Sequence, residues 1–287
     1  MLEFIGVRLC ASIVRAIPLI IIAAFLYPSQ ATAGNVTIDR LWRTHKDKTM
    51  VMSHRGDHQK APENTLAAFD KAIEAGAHIV EVDVRLTRDD KWVVYHDRTI
   101  RLRNKARMLV SQCTFEELRR CTISGSRYKI SDQAIPTLHE VLEHLRDRVV
   151  IYLDDKMGRP LELAEIVREH KMEDQVFIGV NDYADAILMS EFAPDVHWRA
   201  RIKPIGNNID KYLVLNPLII EVNNFFALTP ERIDLIRKAG VKIMVNSYGH
   251  RESDDYYSIF VEQVGADIIQ TDNLDKLLAY LESLDTV

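Results

Sequence analysis

From Thr49 onward, short β-branched runs alternate with amphipathic helical stretches, a pattern that restricts the chain to βα units around a parallel sheet. The strand candidates are Met50–Ser53, His78–Val84, Trp92–His96, Val149–Asp154, Val176–Val180, His197–Ile202, Leu218–Val222, Val241–Val245 and Asp267–Thr271. Helical spacing is read over Thr65–Ala75, stopped by Gly76, and over Thr137–Leu145 and Leu161–Glu169. It recurs over Pro230–Ala239, closed by Gly240, and over Leu274–Leu281. Nine strands exceed by one the eight of a closed (β/α)8 barrel. The surplus lies between Asp83 and His96, where only Thr87–Lys91 intervenes, and a parallel crossover takes about a dozen residues or more. Trp92–His96 is therefore expected to return antiparallel, and a turn centred on Asp89–Asp90 sets His96 opposite Asp83. The expected fold class is α/β: a (β/α)8 barrel with a β-hairpin extension of strand two and a short insert at 98–134. Within that insert Thr114–Leu118 reads as a capped helix.

Residues 1–33 stand apart from this pattern. Arg8 and Arg15 precede an apolar stretch, and Ala31-Thr32-Ala33 offers a small-x-small cleavage site. We expect a signal peptide over 1–33 and a single domain over 34–287. The protein would then be exported, periplasmic or secreted; the alternative is an anchor retained at residues 13–27, although the apolar run is shorter than the roughly 20 residues of a spanning helix. A net charge of −5 argues against nucleic acid as a standing partner, since phosphate backbones demand clustered cations. No stable protein partner is expected, and contact with lipid is expected to be transient. Outside the first 33 residues only Cys113 and Cys121 remain, read equally as one local disulfide or as two apolar residues of the insert.

Side chains alternate across a strand, so Glu81 and Asp83 project to one side near the C-terminal end of strand two, the end where barrel chemistry collects. Two buried carboxylates this close repel unless a cation or proton compensates them. Asp154 offers a third oxygen on the next parallel strand, and Lys156, on the same side, a cation for a phosphate oxygen. An all-oxygen donor set suits Mg²⁺ or Ca²⁺ better than zinc. His54 and His96 end strand one and the hairpin, where imidazoles that titrate near neutrality suit acid–base work. Arg55 presents a planar fork matched to phosphate, and Gly56 would let a ligand approach backbone. Arg199, Arg201 and Lys203 share one face of strand five, and Glu221 and Asn223 one face of strand six. Turned inward, those faces would grip a second anionic or polyol group; turned outward, they would be solvated.

His54-Arg55-Gly56, Pro62-Glu63-Asn64-Thr65, Glu81-x-Asp83, His96-Asp97 and Ile135-Pro136-Thr137-Leu138 together resemble the glycerophosphodiester phosphodiesterase family. Gly265–Asp272 is similar to the family's last-strand motif. The resemblance implies a TIM barrel acting on a small-molecule phosphodiester, most readily a glycerophosphodiester yielding glycerol 3-phosphate. It implies Glu81 and Asp83 as ligands of a divalent cation, to which the strand pattern adds Asp154, with His54 and His96 as the catalytic pair and Arg55 and Lys156 on phosphate. Glu63, Asn64, Arg201, Glu221 and Asn246 are candidates for the substrate pocket. Three positions depart from the family pattern. Asp154 stands where Glu is usual, and an aspartate two before a lysine is similar to the phospholipase D toxins of the same barrel. Met244-Val245-Asn246-Ser247 replaces Trp-Thr-Val-Asn, removing an aromatic wall, and Gly179-Val180 replaces Ser-Phe. A phospholipase-D-like enzyme acting on lipid or lysolipid, and a non-catalytic polyol-phosphate binding barrel, are the alternative functions.

Overall fold

The strands are β1 Met50–Ser53, β2 Ile79–Leu86, β3 Trp92–Val94, β4 Thr99–Arg101, β5 Arg107–Leu109, β6 Val150–Asp155, β7 Val176–Val180, β8 His197–Ile202, β9 Ile219–Val222, β10 Lys242–Ser247 and β11 Ile268–Thr271. The helices are α1 Ile38–Thr44, α2 Leu66–Ala75, α3 Phe115–Arg119, α4 Leu138–Leu145, α5 Pro160–Glu169, α6 Tyr183–Phe192, α7 Ile209–Leu213, α8 Pro230–Lys238, α9 Asp254–Ser258 and α10 Leu274–Leu284. This computed structural model describes residues 36–101, 107–121, 134–202, 209–222 and 228–284. The expected signal peptide therefore lies outside the described residues, as do Lys203 and Asn223. Strands β1, β2, β6, β7, β8, β9, β10 and β11 run parallel, and pairing of β1 with both β11 and β2 closes the (β/α)8 barrel.

Alternation along each strand separates two cores. Val80, Val82, Val84, Ile151, Leu153, Ile178, Trp198, Ala200, Ile220, Val245 and Ile269 face outward and are covered by the helices. Met50, Met52, Ile79, Val150, Phe177, Ile219, Met244 and Ile268 fill the lower interior. Helix α1 seals the base: Ile38 is buried in that inner cluster, and its N–H donates to the Asp174 carbonyl (2.7 Å). This helix precedes the first sequence-predicted strand and had no counterpart in the predicted elements.

The hairpin forms, with its register one residue away from expectation. Leu86 faces Trp92 and Val84 faces Val94, so Tyr95, not His96, comes opposite Asp83, whose carbonyl accepts from the Tyr95 N–H (3.0 Å). The cause is the loop. Thr87 N–H bonds Lys91 O (3.0 Å) and Thr87 Oγ1 accepts from Lys91 N–H (2.9 Å), closing a five-residue loop centred on Asp89. Asp90 takes the left-handed conformation that aspartate tolerates (φ 55°). An odd loop centres on a residue, not between two, and strand β3 ends at Val94.

The insert builds its own small core from Val93, Ile100, Val110, Cys113, Leu118, Cys121 and Ile135. Helix α3 carries the expected capping box between Thr114 and Glu117. Cys113 and Cys121 are both buried within that core with no disulfide between them, in line with the second of the two readings left open above.

Candidate active site

The strand period that points Ile79 inward at the base of β2 also points Glu81 and Asp83 inward toward its C-terminal end, and the same rule turns Asp154 inward on β6. The three carboxylates are buried, with one oxygen from each within 4.8 Å of the others. Asp155, one residue on, faces the other way and accepts from the N–H groups of Met157 (2.7 Å), Gly158 (3.0 Å) and Arg159 (2.5 Å), fixing the loop that follows β6.

The β1–α2 connection supplies one of the positive groups, Arg55, and one of the proton-carrying groups, His54. Arg55 adopts a left-handed conformation (φ 59°) and aims its backbone N–H at Glu81 Oε2 (2.8 Å). Its guanidinium reaches Asp83 Oδ2 through Nε (3.2 Å) and both Glu63 oxygens through Nη1 (3.1 Å). Asn64, also left-handed (φ 56°), donates to Asp83 Oδ2 (2.7 Å) and accepts from the Asp83 N–H (3.2 Å). Glu63 and Asn64 thus direct their polar atoms onto Arg55 and Asp83. Gly56 has a structural reason besides the one expected. At φ 75° an added Cβ would lie 2.7 Å from the Ala68 carbonyl carbon, so the close approach of helix α2 alone requires glycine here.

His54 is anchored through Nδ1 to Asp272 Oδ1 (2.6 Å) and stacks on Tyr248 (ring centroids 4.5 Å). His58 sets Nδ1 on the His54 carbonyl (2.9 Å) and Nε2 3.5 Å from the same Asp272 oxygen. His96 is held through Nδ1 by Asp97 (2.9 Å), and its carbonyl accepts from Arg85 Nε (2.7 Å). Lys156 sets its ammonium on Asp83 Oδ1 (2.8 Å) and on Asp154.

The charges follow from burial. Glu81 is pushed well above the carboxylate range, by desolvation first and then by repulsion from Asp83 and Asp154. Burial also opposes ionisation of Asp83, yet Lys156 and then Arg55 hold it down at about 2. Burial likewise opposes the charge on Lys156, but the facing carboxylates, Asp83 first, raise it above its ordinary value. His54 is lowered, with burial outweighing the bond to Asp272. Arg55 and Lys156 offset part of the cluster's charge, while Asp154 Oδ1 is buried without a hydrogen-bond donor, with Arg199 Nη2 3.7 Å away. Buried carboxylate oxygens in that state suit a hard divalent cation, so Glu81, Asp83 and Asp154 could hold one.

Across the barrel mouth, Arg199 and Arg201 on β8 and Glu221 on β9 face inward. Arg199 is fully buried, ion-paired with Glu221 Oε2 (3.0 Å), donates a hydrogen bond to Asn181 Oδ1 (3.2 Å) and is stacked over Tyr152 (5.0 Å). Burial pushes its guanidinium down to about 10 against the pull of Glu221. Glu221 Oε1 accepts from Arg201 Nε (3.1 Å) and from Asn246 Nδ2 (2.8 Å). Gly179 makes room for this stack: a Cβ there would sit 2.7 Å from Tyr152 Oη and 3.0 Å from Arg199 Nη2. The Gly in place of the family's Ser therefore belongs with a large buried pair.

Sequence reasoning missed Asp272, Tyr248 and His58 as site residues. Asp272 stood within a quoted motif without a role, and Tyr248 follows directly on the segment read as lacking an aromatic wall. Its ring restores an aromatic surface against His54, and its hydroxyl donates to Gln270 Oε1 (2.6 Å). A cleft of about 710 Å³ lies at the opposite end, lined by His45, His78, Arg237 and Asp267, among residues that precede the strands. In barrels that end serves stability, and the chemistry stays at the other.

Residues 54–214 match the Glycerophosphoryl diester phosphodiesterase family. The chain is 29% identical over 241 residues to a glycerophosphodiester phosphodiesterase of Caldanaerobacter subterraneus subsp. tengcongensis, covering 80% of this chain and 97% of that one. Its fold is similar to the crystal structure of a glycerophosphodiester phosphodiesterase from Agrobacterium tumefaciens (29% identity, TM-score 0.68, 80% and 99% covered). It is also similar to that of a glycerophosphoryl diester phosphodiesterase from Parabacteroides distasonis (25% identity, TM-score 0.74, 87% and 93% covered). A matched segment that begins at His54 and spans both acidic strands, in a barrel of the same topology, carries the conclusion: the chain belongs to the glycerophosphoryl diester phosphodiesterase family and is a phosphoric diester hydrolase.

Proposed function

We propose that the protein hydrolyses glycerophosphodiesters to glycerol 3-phosphate and a free alcohol, by acid–base catalysis between His54 and His96. The carrying observation is the convergence of Glu81, Asp83 and Asp154 beside Arg55 and Lys156, at the barrel end where both imidazoles are anchored. A divalent cation on the three carboxylates, Mg²⁺ or Ca²⁺, would supply Lewis-acid neutralisation of the phosphoryl oxygens. Arg55 and Lys156 add fixed positive charge for the phosphate, and their own carboxylate contacts pre-organise them. Each histidine is gripped through Nδ1 by a carboxylate, which leaves Nε2 as the atom that carries protons. Burial favours the neutral form of His54, which suits it to accept the proton of the attacking oxygen. His96 would then protonate the leaving alcohol.

His54→Ala and His96→Ala should each lower kcat by about 10²–10⁴-fold with unchanged circular dichroism. EDTA should abolish turnover, and Mg²⁺ or Ca²⁺ should restore it. Full activity in either variant overturns the acid–base assignment. Asp154 two before Lys156 supports a second reading, action on lysolipid, and parallel assays on soluble diesters and lysolipid micelles separate the two. Export through residues 1–33 belongs to the same reading; N-terminal sequencing of the exported protein should start at Gly34.

A further inference from the structure

We infer that Arg201 is a specificity residue which grips a second anionic group on the substrate, in the arm beyond the scissile phosphate. The inference rests on the glycerophosphodiester reading and deepens it. Arg201 lies near the C-terminal end of β8 and projects inward like Arg199 two residues before it. Its Nε is fixed to Glu221, which is buried and held from two further directions by Arg199 and Asn246. The guanidinium is thereby pre-oriented, while about a third of the side chain (31%) remains open to solvent. It stands within electrostatic reach of Asp154 and of Tyr248, the ring against His54, so it shares the mouth with the proposed chemistry.

Charge decides what it would bind. Glu221 is shared by two arginines, and Arg199 has a second carboxylate, Asp154, at 3.7 Å, so among the described residues Arg201 has only the shared Glu221 at ion-pair distance. A partly desolvated guanidinium with a shared counter-ion favours an arriving anion. The scissile phosphate already has Arg55 and Lys156 beside the acidic cluster. Arg201 lies two strands further round the wall from β6, roughly 10 Å between backbones at the usual strand spacing. That separation fits a substrate arm of several bonds ending in a carboxylate or a phosphate, the groups a guanidinium fork recognises. A cationic arm, such as choline, would be repelled.

The test compares kcat/KM for four diesters: glycerophosphocholine, glycerophosphoglycerol, glycerophosphoserine and bis(glycerophospho)glycerol. We expect at least one of the last two to exceed both of the others by about tenfold, the carboxylate and phosphate arms showing which anion is favoured. In Arg201→Gln that ratio should collapse to within about threefold of one, and Arg201→Lys should restore part of it. Equal wild-type values for all four overturn the inference and leave the proposed function standing. Equal losses on all four in Arg201→Gln also overturn it, by placing Arg201 on the reacting phosphoryl group or in the framework. No turnover of any diester removes the proposed function as well. If Arg201→Gln fails to fold, the wild-type ratio decides alone.

Discussion

At the scale of single residues, the site is organised by side chains that hold other side chains. Asp272 fixes His54 through Nδ1, and His58 leans on the same carboxylate oxygen from a second side. Replacing Asp272 with Asn keeps the shape but removes the charge that selects the Nδ1–H tautomer and supports an imidazolium. We expect kcat of Asp272→Asn to fall by roughly 10²–10⁴-fold, with KM and melting temperature nearly unchanged. A large rise in KM with kcat intact would instead place Asp272 on substrate. The acidic ligand candidates were legible in the sequence because strand alternation assigns them a side; His54 and His96 were read as strand-end residues, and the register that set His96 opposite Asp83 did not hold. Asp272 and Tyr248 were not, since each acts through His54, from which the chain separates them by some two hundred residues. Spatial partnership at that distance leaves no local pattern. Arg199, Arg201 and Glu221 were legible as faces only; which way the faces turned needed the barrel itself.

At the scale of elements, the β1–α2 junction converts a strand end into a charged loop. Gly56 allows this by combining a positive φ with backbone contact against Ala68, whose carbonyl accepts from the Asp57 N–H (2.9 Å). Gly56→Ala should destabilise the protein by about 2 kcal/mol or more, read as a lower urea midpoint, because both the conformation and the contact oppose a Cβ. The strands themselves were the most legible elements. Buried parallel strands such as β7 read as unbroken apolar runs, and β1, β7 and the more polar β8 start and end at the expected residues. Helix α6 was harder: its buried residues, Ala186 and Met189, are few, and Ile187, Leu188 and Phe192 lie exposed among them. The hairpin register failed by one because a single backbone-closed loop, around Asp89, decided it.

At the scale of the whole molecule, stability should depend on pH through buried neutral histidines. His78 Nδ1 accepts from the Val51 N–H (2.9 Å), so the imidazole must stay neutral to keep that bond. Burial, helped by neighbouring His45, pushes it down to about 4 from an ordinary 6.5. The unfolded chain therefore binds a proton at His78 between pH 6.5 and pH 4 and the folded protein does not. Stability is full above pH 6.5 and declines as pH falls through that window, by about 3 kcal/mol from this group at pH 4. His54 and His197, also lowered by burial, act in the same direction. In urea titrations, His78→Asn should lose less stability than the wild type between pH 7 and pH 4. Equal losses would exclude His78 as a source of the decline.

The plug of Ile38 and α1 at the base bears on traffic as well as on packing. With the lower interior filled by methionine, isoleucine and phenylalanine, reactants cannot pass through the barrel as through a pipe. Substrate, water, alcohol and the phosphorylated product must all use one doorway. A departing product therefore stands in the path of the next arrival, and turnover at high product concentration should slow for that geometric reason alone.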